Sequence, residues 1–191
     1  KKPVPEVLMR VLYLIAVVTG GVLQAFDKVK YVDVQGLKSE RRTIRVPANR
    51  ATAEELVQAE HINALHEAGK DAELPYSGMM LTTKVAEAGR MVRLQNGPES
   101  FPMELSGLAI GPVALIGLPG EPFTGVGRGL KEAEGWDLVL PCCLTNGCRG
   151  YFPMMDAYEE GGYEARSSSF KAGSAELIVK EGCELLSELR A

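Results

Sequence analysis

A single carboxylate stands at the end of an apolar run in the middle of the chain. The run of residues 113–118 stops at Pro119 and Gly120, and Glu121 follows directly. A strand that halts in this way and presents one acid is typical of a sheet edge that displays a functional side chain. Glu121 is therefore a candidate metal-binding or catalytic residue. An acid near a helix start also stabilises the positive end of the helix dipole, and the residues alone leave both interpretations open.

A second candidate lies in residues 146–169, a long loop rich in glycine, aromatic and acidic residues. Tyr163 follows two glycines, which let the backbone approach closely, and Glu164 and Arg166 flank it. A phenol brought beside a divalent ion can lose its proton and bind the ion through a hard oxygen. Tyr163 could thus share a metal site with Glu121. The alternative is an aromatic residue that anchors a long loop on the core.

Other chemical motifs are incomplete. His61 and His66 are five residues apart on a predicted helix, which separates them by about 140° and prevents joint ligation of one ion. The glycines of residues 125–129 lack the Lys-Ser/Thr of a phosphate-binding loop. The serines of residues 167–169 lack the motif of a nucleophile elbow. We interpret them as a flexible turn before the last helix.

Composition limits the function classes. The 191 residues carry a net charge of −4 and show no basic stripe with interleaved aromatics, which argues against nucleic-acid binding. Three of the four cysteines lie within seven residues, and two of those are adjacent, so a disulfide framework is not expected. Unpaired thiols are typical of a reducing compartment, and a cytoplasmic location is favoured.

The N-terminal segment resembles a secretory signal, since Lys1 and Lys2 precede an apolar stretch. Arg10 interrupts that stretch, and residues 11–26 fall short of the roughly 20 residues that a membrane span needs. We therefore predict no signal peptide but a buried helix over residues 5–24, kinked near Gly20. A helix that is apolar all round must be covered on several sides, so we expect further protein against it.

Alternating patterns predict strands at residues 29–34 and 41–46, joined by a turn at 36–38. Thr52 and Glu55 form a capping box that starts a helix ending at Gly69. The pattern indicates an α/β fold, with a mixed sheet of antiparallel strand pairs packed against helices, as an incomplete part of a larger domain. The other predicted elements are helices at 79–92, 123–134 and 174–190, a hairpin of strands 103–110 and 113–118, and a strand at 138–144.

Three segments resemble the neutral/alkaline non-lysosomal ceramidase family, in the C-terminal half of its catalytic domain: residues 110–124, 140–153 and 157–168. In that family a strand ending in Pro-Gly-Glu supplies a zinc-binding glutamate, and a later motif supplies a zinc-binding tyrosine. The resemblance places these ligands on Glu121 and Tyr163. Motif support comes from Gly120, Asn146, Gly150, Tyr151 and Glu164.

A length of 191 residues fits a single domain over residues 1–191, and the resemblance implies that it forms the C-terminal portion of a ceramidase-like catalytic domain. It implies Zn²⁺ and hydrolysis of the N-acyl amide bond of a lipid or related substrate, in sphingolipid metabolism, by a zinc-activated water. Family members bring histidine ligands and catalytic residues from an N-terminal portion, and neither His61 nor His66 has such a context. That missing portion is the expected partner, and this chain alone is expected to be inactive. The alternative is a non-catalytic binding or structural module that has lost its metal site.

Overall fold

The computed structural model describes residues 6–26, 28–31, 34 and 36–190. The chain forms two compact units, residues 1–33 and 34–191. The first unit contains helix α1 (Glu6–Phe26). The second contains, in chain order, β1 (Leu37–Pro47), α2 (Ala53–Glu67), a short 3₁₀ helix (Asp71–Glu73), α3 (Gly78–Leu94), β2 (Ser100–Ile110), β3 (Val113–Gly117), β4 (Glu121–Pro122), α4 (Thr124–Lys131), β5 (Leu138–Cys142), β6 (Tyr151–Phe152), α5 (Met155–Glu160), α6 (Tyr163–Ser167) and α7 (Ser174–Arg190).

Helix α1 corrects one sequence expectation, the length of the apolar stretch. It begins at Glu6, so its 21 residues extend about 32 Å, and the argument that the apolar stretch is too short was wrong. Arg10 does not end the stretch, because its guanidinium pairs with Glu6 one turn earlier. Among the described residues, α1 is the one helix that is long and apolar enough to cross a membrane, a test that signal sequences and core helices of soluble proteins also pass. None of its residues is buried within this chain, and the further protein expected against it stays a prediction.

The main sheet has four strands in the order β1-β2-β3-β5. The β1–β2 and β2–β3 pairs are antiparallel, whereas the β3–β5 pair is parallel. The mixed α/β fold and the β2–β3 hairpin are as predicted. The predicted strand at 29–34 was wrong for its described residues, 29–31 and 34, while 32 and 33 lie outside the described residues. Leu37 and Lys38 begin β1 instead of forming a turn, because β1 pairs over its whole length with the distant β2.

One face of the sheet carries the core. Alternate residues of the strands, such as Val46, Met103, Leu105 and Ile116, are fully buried there. Helix α7 packs against this face through Ile178, Leu185, Leu186 and Leu189. Helices α2 and α3 pack together around a second, smaller apolar cluster: Ala59, Ile62, Leu74 and Ala88.

The opposite face of the sheet is apolar at one end. In the strand register, one row aligns Ile110, Val113 and Leu138. The next row aligns Leu108, Leu115 and Leu140. Leu138 is 48% exposed and Leu140 is 40% exposed. We call these two rows the open apolar face. It is made of Ile110, Val113 and Leu138 in the first row and Leu108, Leu115 and Leu140 in the second.

All four cysteines are free thiols, as predicted. Cys142 ends β5 and is half-buried, and Cys143 follows it and is exposed. The cytoplasmic location that the unpaired thiols favoured stays a prediction.

The predicted capping box at the start of α2 is formed in full. The Glu55 amide donates to Thr52 Oγ1 at 3.3 Å, and the Thr52 amide donates to Glu55 Oε2 at 2.8 Å. The backbone hydrogen bond from Thr52 lowers the pKa of the Glu55 carboxyl, against an opposing effect of desolvation.

We expect Thr52→Ala to lower the free energy of unfolding by about 1 kcal/mol in urea titrations. Glu55→Gln should destabilise the chain at neutral pH. Because the folded pKa of Glu55 is lowered, its contribution is complete above the unfolded pKa and is lost as the pH falls through the folded value. The difference between Glu55→Gln and wild type should therefore shrink in acid. Glu54→Gln, in the same helical turn but outside the capping box, is the control, and an equal effect there would contradict the assignment.

Candidate functional site

The candidate site lies directly after the end of β3, at residues 118–121. Leu118, Pro119 and Gly120 are buried, and Glu121 then emerges with an exposed side chain. Glu121 is the first residue of β4, which pairs in parallel with β6 and thereby places Glu121 opposite Tyr151. The Glu121 amide donates to Gly150 O at 2.9 Å, and the Phe123 amide donates to Phe152 O at 3.1 Å. This short ladder fixes the candidate carboxylate beside a phenol.

Gly120 is required by the close approach of the two strands. A Cβ at this position would lie 2.6 Å from Gly150 O and 2.7 Å from the Phe152 ring. Asn146 adopts φ 59° and Gly150 adopts φ 78°, in the left-handed region that asparagine and glycine tolerate best. These three motif residues therefore act through the backbone, and they let the loop after β5 fold against the β3–β4 connection.

Tyr163 is the first residue of α6, and its ring packs edge-on against Tyr151. The two ring centroids are 6.2 Å apart with an interplanar angle of 77°. The structure thus brings together Glu121, Tyr151 and Tyr163, the cluster that we call the tyrosine–glutamate site. Tyr151, which the sequence interpretation used only as motif support, is the tyrosine directly opposite Glu121. The sequence motif includes Tyr151, but nothing in the sequence indicates that Tyr151 pairs with Glu121.

The negative charge of Glu121 raises the pKa of the Tyr151 phenol above its ordinary value of 10.0. Desolvation adds to this effect, as do the neighbouring Tyr163 and Glu164. The phenol is therefore protonated at neutral pH when only these acidic neighbours surround it. A bound divalent cation would reverse this balance, because it stabilises both the carboxylate and a phenolate.

The cluster offers oxygen donors of kinds that zinc can bind, but no complete coordination shell among the described residues. A carboxylate and a phenol are oxygen ligands of kinds that metal sites use, whereas a catalytic zinc site normally has three protein ligands and an open position. Within the part of the chain that the structure describes, no group of three or more His, Cys, Asp and Glu side chains could hold a metal ion. His66 Nδ1 instead lies 2.8 Å from Asp71 Oδ1.

Among comparisons with known proteins, only that with solved structures gives matches. No protein-family model matches the sequence, and no curated protein matches it. Among solved structures, neutral ceramidase from Pseudomonas aeruginosa is similar, with 18% identity and a TM-score of 0.53, over 82% of this chain and 29% of that chain. The fold is ceramidase-like. A second structure, of a ceramidase complexed with C2, is similar at 14% identity and a TM-score of 0.48, over 82% of this chain and 31% of that chain.

The ceramidase-like fold covers most of this chain but spans under a third of the length of the Pseudomonas protein. At 18% identity the likeness concerns the fold alone. It agrees with the sequence resemblance, whose three segments form the β3–β4 connection, the β5–β6 connection, and helices α5 and α6. These are the elements that surround the tyrosine–glutamate site.

We expect Glu121→Gln to lower the pKa of the Tyr151 phenol, because the substitution removes the negative charge that most opposes its ionisation. NMR titration of the tyrosine ring carbons measures this pKa, with Tyr151→Phe to assign the signal. Glu160→Gln, on the exposed surface of α5, is the control and should leave the titration unchanged. An unchanged pKa in Glu121→Gln would show that the carboxylate does not face the phenol.

Proposed function

We propose that this chain is the C-terminal portion of the catalytic domain of a zinc-dependent amidohydrolase of the ceramidase type. Its substrate class is a lipid or related molecule with an N-acyl amide bond. The observation that supports the proposal is the pairing of β4 with β6, which sets the exposed Glu121 opposite Tyr151 within a ceramidase-like fold. The sequence resemblance points to the same edge of the structure through Glu121 and Tyr163.

In this proposal, the Glu121 carboxylate and one tyrosine oxygen bind the metal. The resemblance assigned the tyrosine ligand to Tyr163, whereas the strand register favours Tyr151, with the Tyr163 ring packed against it. Zinc, when bound, lowers the pKa of a water molecule and polarises an amide carbonyl. Glu121 contributes negative charge and orientation, and Gly120 allows the close approach of the two strands that carry the ligands.

The remaining ligands and the catalytic residues are proposed to come from a further portion of the same protein. Two observations support this. The chain matches only 29% of the length of the Pseudomonas ceramidase. The open apolar face also carries six aliphatic side chains, and a contiguous exposed apolar patch typically marks an interaction surface. A covering layer would bury this face and complete the site.

Zinc binding and hydrolysis test the proposal in the complete protein. We expect the isolated 191 residues to bind zinc weakly and the complete protein to bind it tightly and to hydrolyse an N-acyl amide. Glu121→Ala should weaken zinc binding by more than about 100-fold, since residues that only orient a metal ligand are already worth about 10–100-fold. Tyr151→Phe and Tyr163→Phe show which phenol is the ligand, and Glu160→Ala is the matched control on a nearby exposed helix.

Tight stoichiometric zinc binding by the isolated chain would contradict the proposal, because the site would then need ligands other than these. A complete protein that folds but neither binds zinc nor hydrolyses amides would favour the alternative, a binding or structural module without metal chemistry.

A separate test concerns the open apolar face. Leu138→Lys combined with Leu140→Lys should make the isolated chain more soluble and reduce its binding of an apolar fluorescent dye, because both side chains are already 40–48% exposed. The same pair should destabilise the complete protein, where we expect a covering layer to bury both positions. Thr43→Lys, at the polar end of the same face, is the control. Unchanged stability of the complete protein would show that the face is not covered.

A further inference from the structure

Ser168 is a buried hydroxyl behind the tyrosine–glutamate site. Its side chain belongs to a residue that is 2% exposed, in the turn after α6 that the sequence suggested would be flexible. Its Oγ donates to Tyr151 O at 2.9 Å and accepts the Phe170 amide at 3.2 Å. The Tyr158 hydroxyl lies 3.3 Å from Ser168 Oγ and donates to Phe170 O at 2.6 Å. The turn is therefore tied directly to the backbone of β6.

Arg90 of α3 is a buried charge that ties the same turn to the rest of the unit. It is 4% exposed, and its guanidinium donates from Nε to Arg166 O at 2.9 Å and from Nη1 to Asn49 O. Asn49 in turn donates from its amide to Ser169 O at 2.8 Å and from Nδ2 to Ser168 O at 3.3 Å. Arg90 and Asn49 together therefore donate to three carbonyls of this turn, those of Arg166, Ser168 and Ser169.

Glu87, one turn before Arg90 on α3, strengthens the same connection. It is 6% exposed and accepts from Arg166 Nη1 at 2.9 Å and from Lys84 Nζ at 2.8 Å. Burial lowers the pKa of the Arg90 guanidinium, and the charge of Glu87 opposes that effect. Buried charges are retained at a cost that only close partners offset. Here two of the partners, the carbonyl and the guanidinium of Arg166, belong to the helix that Tyr163 begins.

The elements that hold the two tyrosines are too short to be stable alone. Strands β4 and β6 have two residues each, and α6 has five. An isolated helix needs about 12–15 residues to be even marginal in water, and isolated pairs of strands are marginal at best. The orientation of Tyr151 and Tyr163 must therefore be imposed from outside these elements.

We propose that Arg90 and Ser168 are positioning residues, which hold Tyr151 opposite Glu121 and Tyr163 against Tyr151. Ser168 fixes the backbone of β6 at Tyr151, and Arg90 fixes the C-terminal end of the helix that Tyr163 begins. The value of this positioning for metal binding rests on the proposed function. The positioning itself concerns only the arrangement of this chain and is measured without zinc or substrate.

Amide hydrogen exchange and ring contacts in Ser168→Ala test the proposal. The Glu121 and Phe123 amides form the hydrogen bonds of the β4–β6 ladder, and we expect their exchange to become about tenfold faster, the scale expected when buried polar groups lose their partner. The nuclear Overhauser effect between the Tyr151 and Tyr163 rings should fall at least about twofold. Amides of the central strand β2 should keep their wild-type rates. Ser167→Ala is the matched control, because Ser167 Oγ bonds only within α6, to Glu164 O.

Arg90→Lys should accelerate the same two amides, because one ammonium cannot replace a guanidinium that donates to carbonyls in two directions. Arg93→Lys, three residues later on α3 with an exposed bond to Ser169 Oγ, is its control. If Arg90→Lys does not fold, Ser168→Ala alone decides. Unchanged exchange at Glu121 and Phe123 in Ser168→Ala, or an equal acceleration across β2, would overturn the proposal. Selective acceleration would support it whether or not the chain binds zinc.

Discussion

The hydrogen bonds between the β3–β4 connection and the loop after β5 determine how the site is arranged. Three consecutive carbonyls of the connection, at residues 118–120, are buried and cannot be satisfied by a regular strand partner. The loop satisfies each of them, through the amides of Thr145, Arg149 and Leu144 at 2.9 Å. Because the loop then continues directly into β6, these bonds also determine which residue of β6 faces Glu121.

The aromatic residues below β6 fix the same register from the core side. Neighbouring residues of a strand point to opposite faces, so Phe152 points inward while Tyr151 points towards Glu121. Phe152 is fully buried, and its ring lies 5.1 Å from that of Phe170, which also packs edge-on against Phe101. A shift of one residue in β6 would expose a phenylalanine and bury a tyrosine. Core packing and loop hydrogen bonding therefore select the same arrangement of the site.

Local signals in the sequence predicted the parts of the fold that depend on neighbouring residues. A local pattern was enough to predict each of three elements. The capping box at Thr52 predicted the start of α2, the turn at Gly111 and Pro112 predicted the β2–β3 hairpin, and the apolar pattern predicted α7. The pairing of β1 with β2 was not predicted, because these strands are separated by two helices and the nearer residues 29–34 also alternate. Glu121 was identified from its position after a Pro-Gly stop, which is again a local pattern.

The pairing of Glu121 with Tyr151 could not be predicted, since two strands of two residues each are too short to show an alternating sequence pattern. Its register depends on loop hydrogen bonds and on Phe152, none of which spacing along the chain reveals. The same holds for Ser168, whose neighbours Ser167 and Ser169 have the same side chain. Only the fold distinguishes the buried hydroxyl that bonds Tyr151 from the two beside it.

The open apolar face and the tyrosine–glutamate site lie along the same pair of strands. The parallel strands β3 and β5 start at the aligned pair Val113 and Leu138 and end at the aligned pair Gly117 and Cys142. Directly beyond that end, β3 continues into the β3–β4 connection that presents Glu121, and β5 continues into the loop that presents Tyr151. A layer that covered the aliphatic rows would therefore reach the site at the carboxyl ends of the strands. In the proposed function, burial of apolar area against such a layer would supply free energy for holding further ligands next to an acidic site.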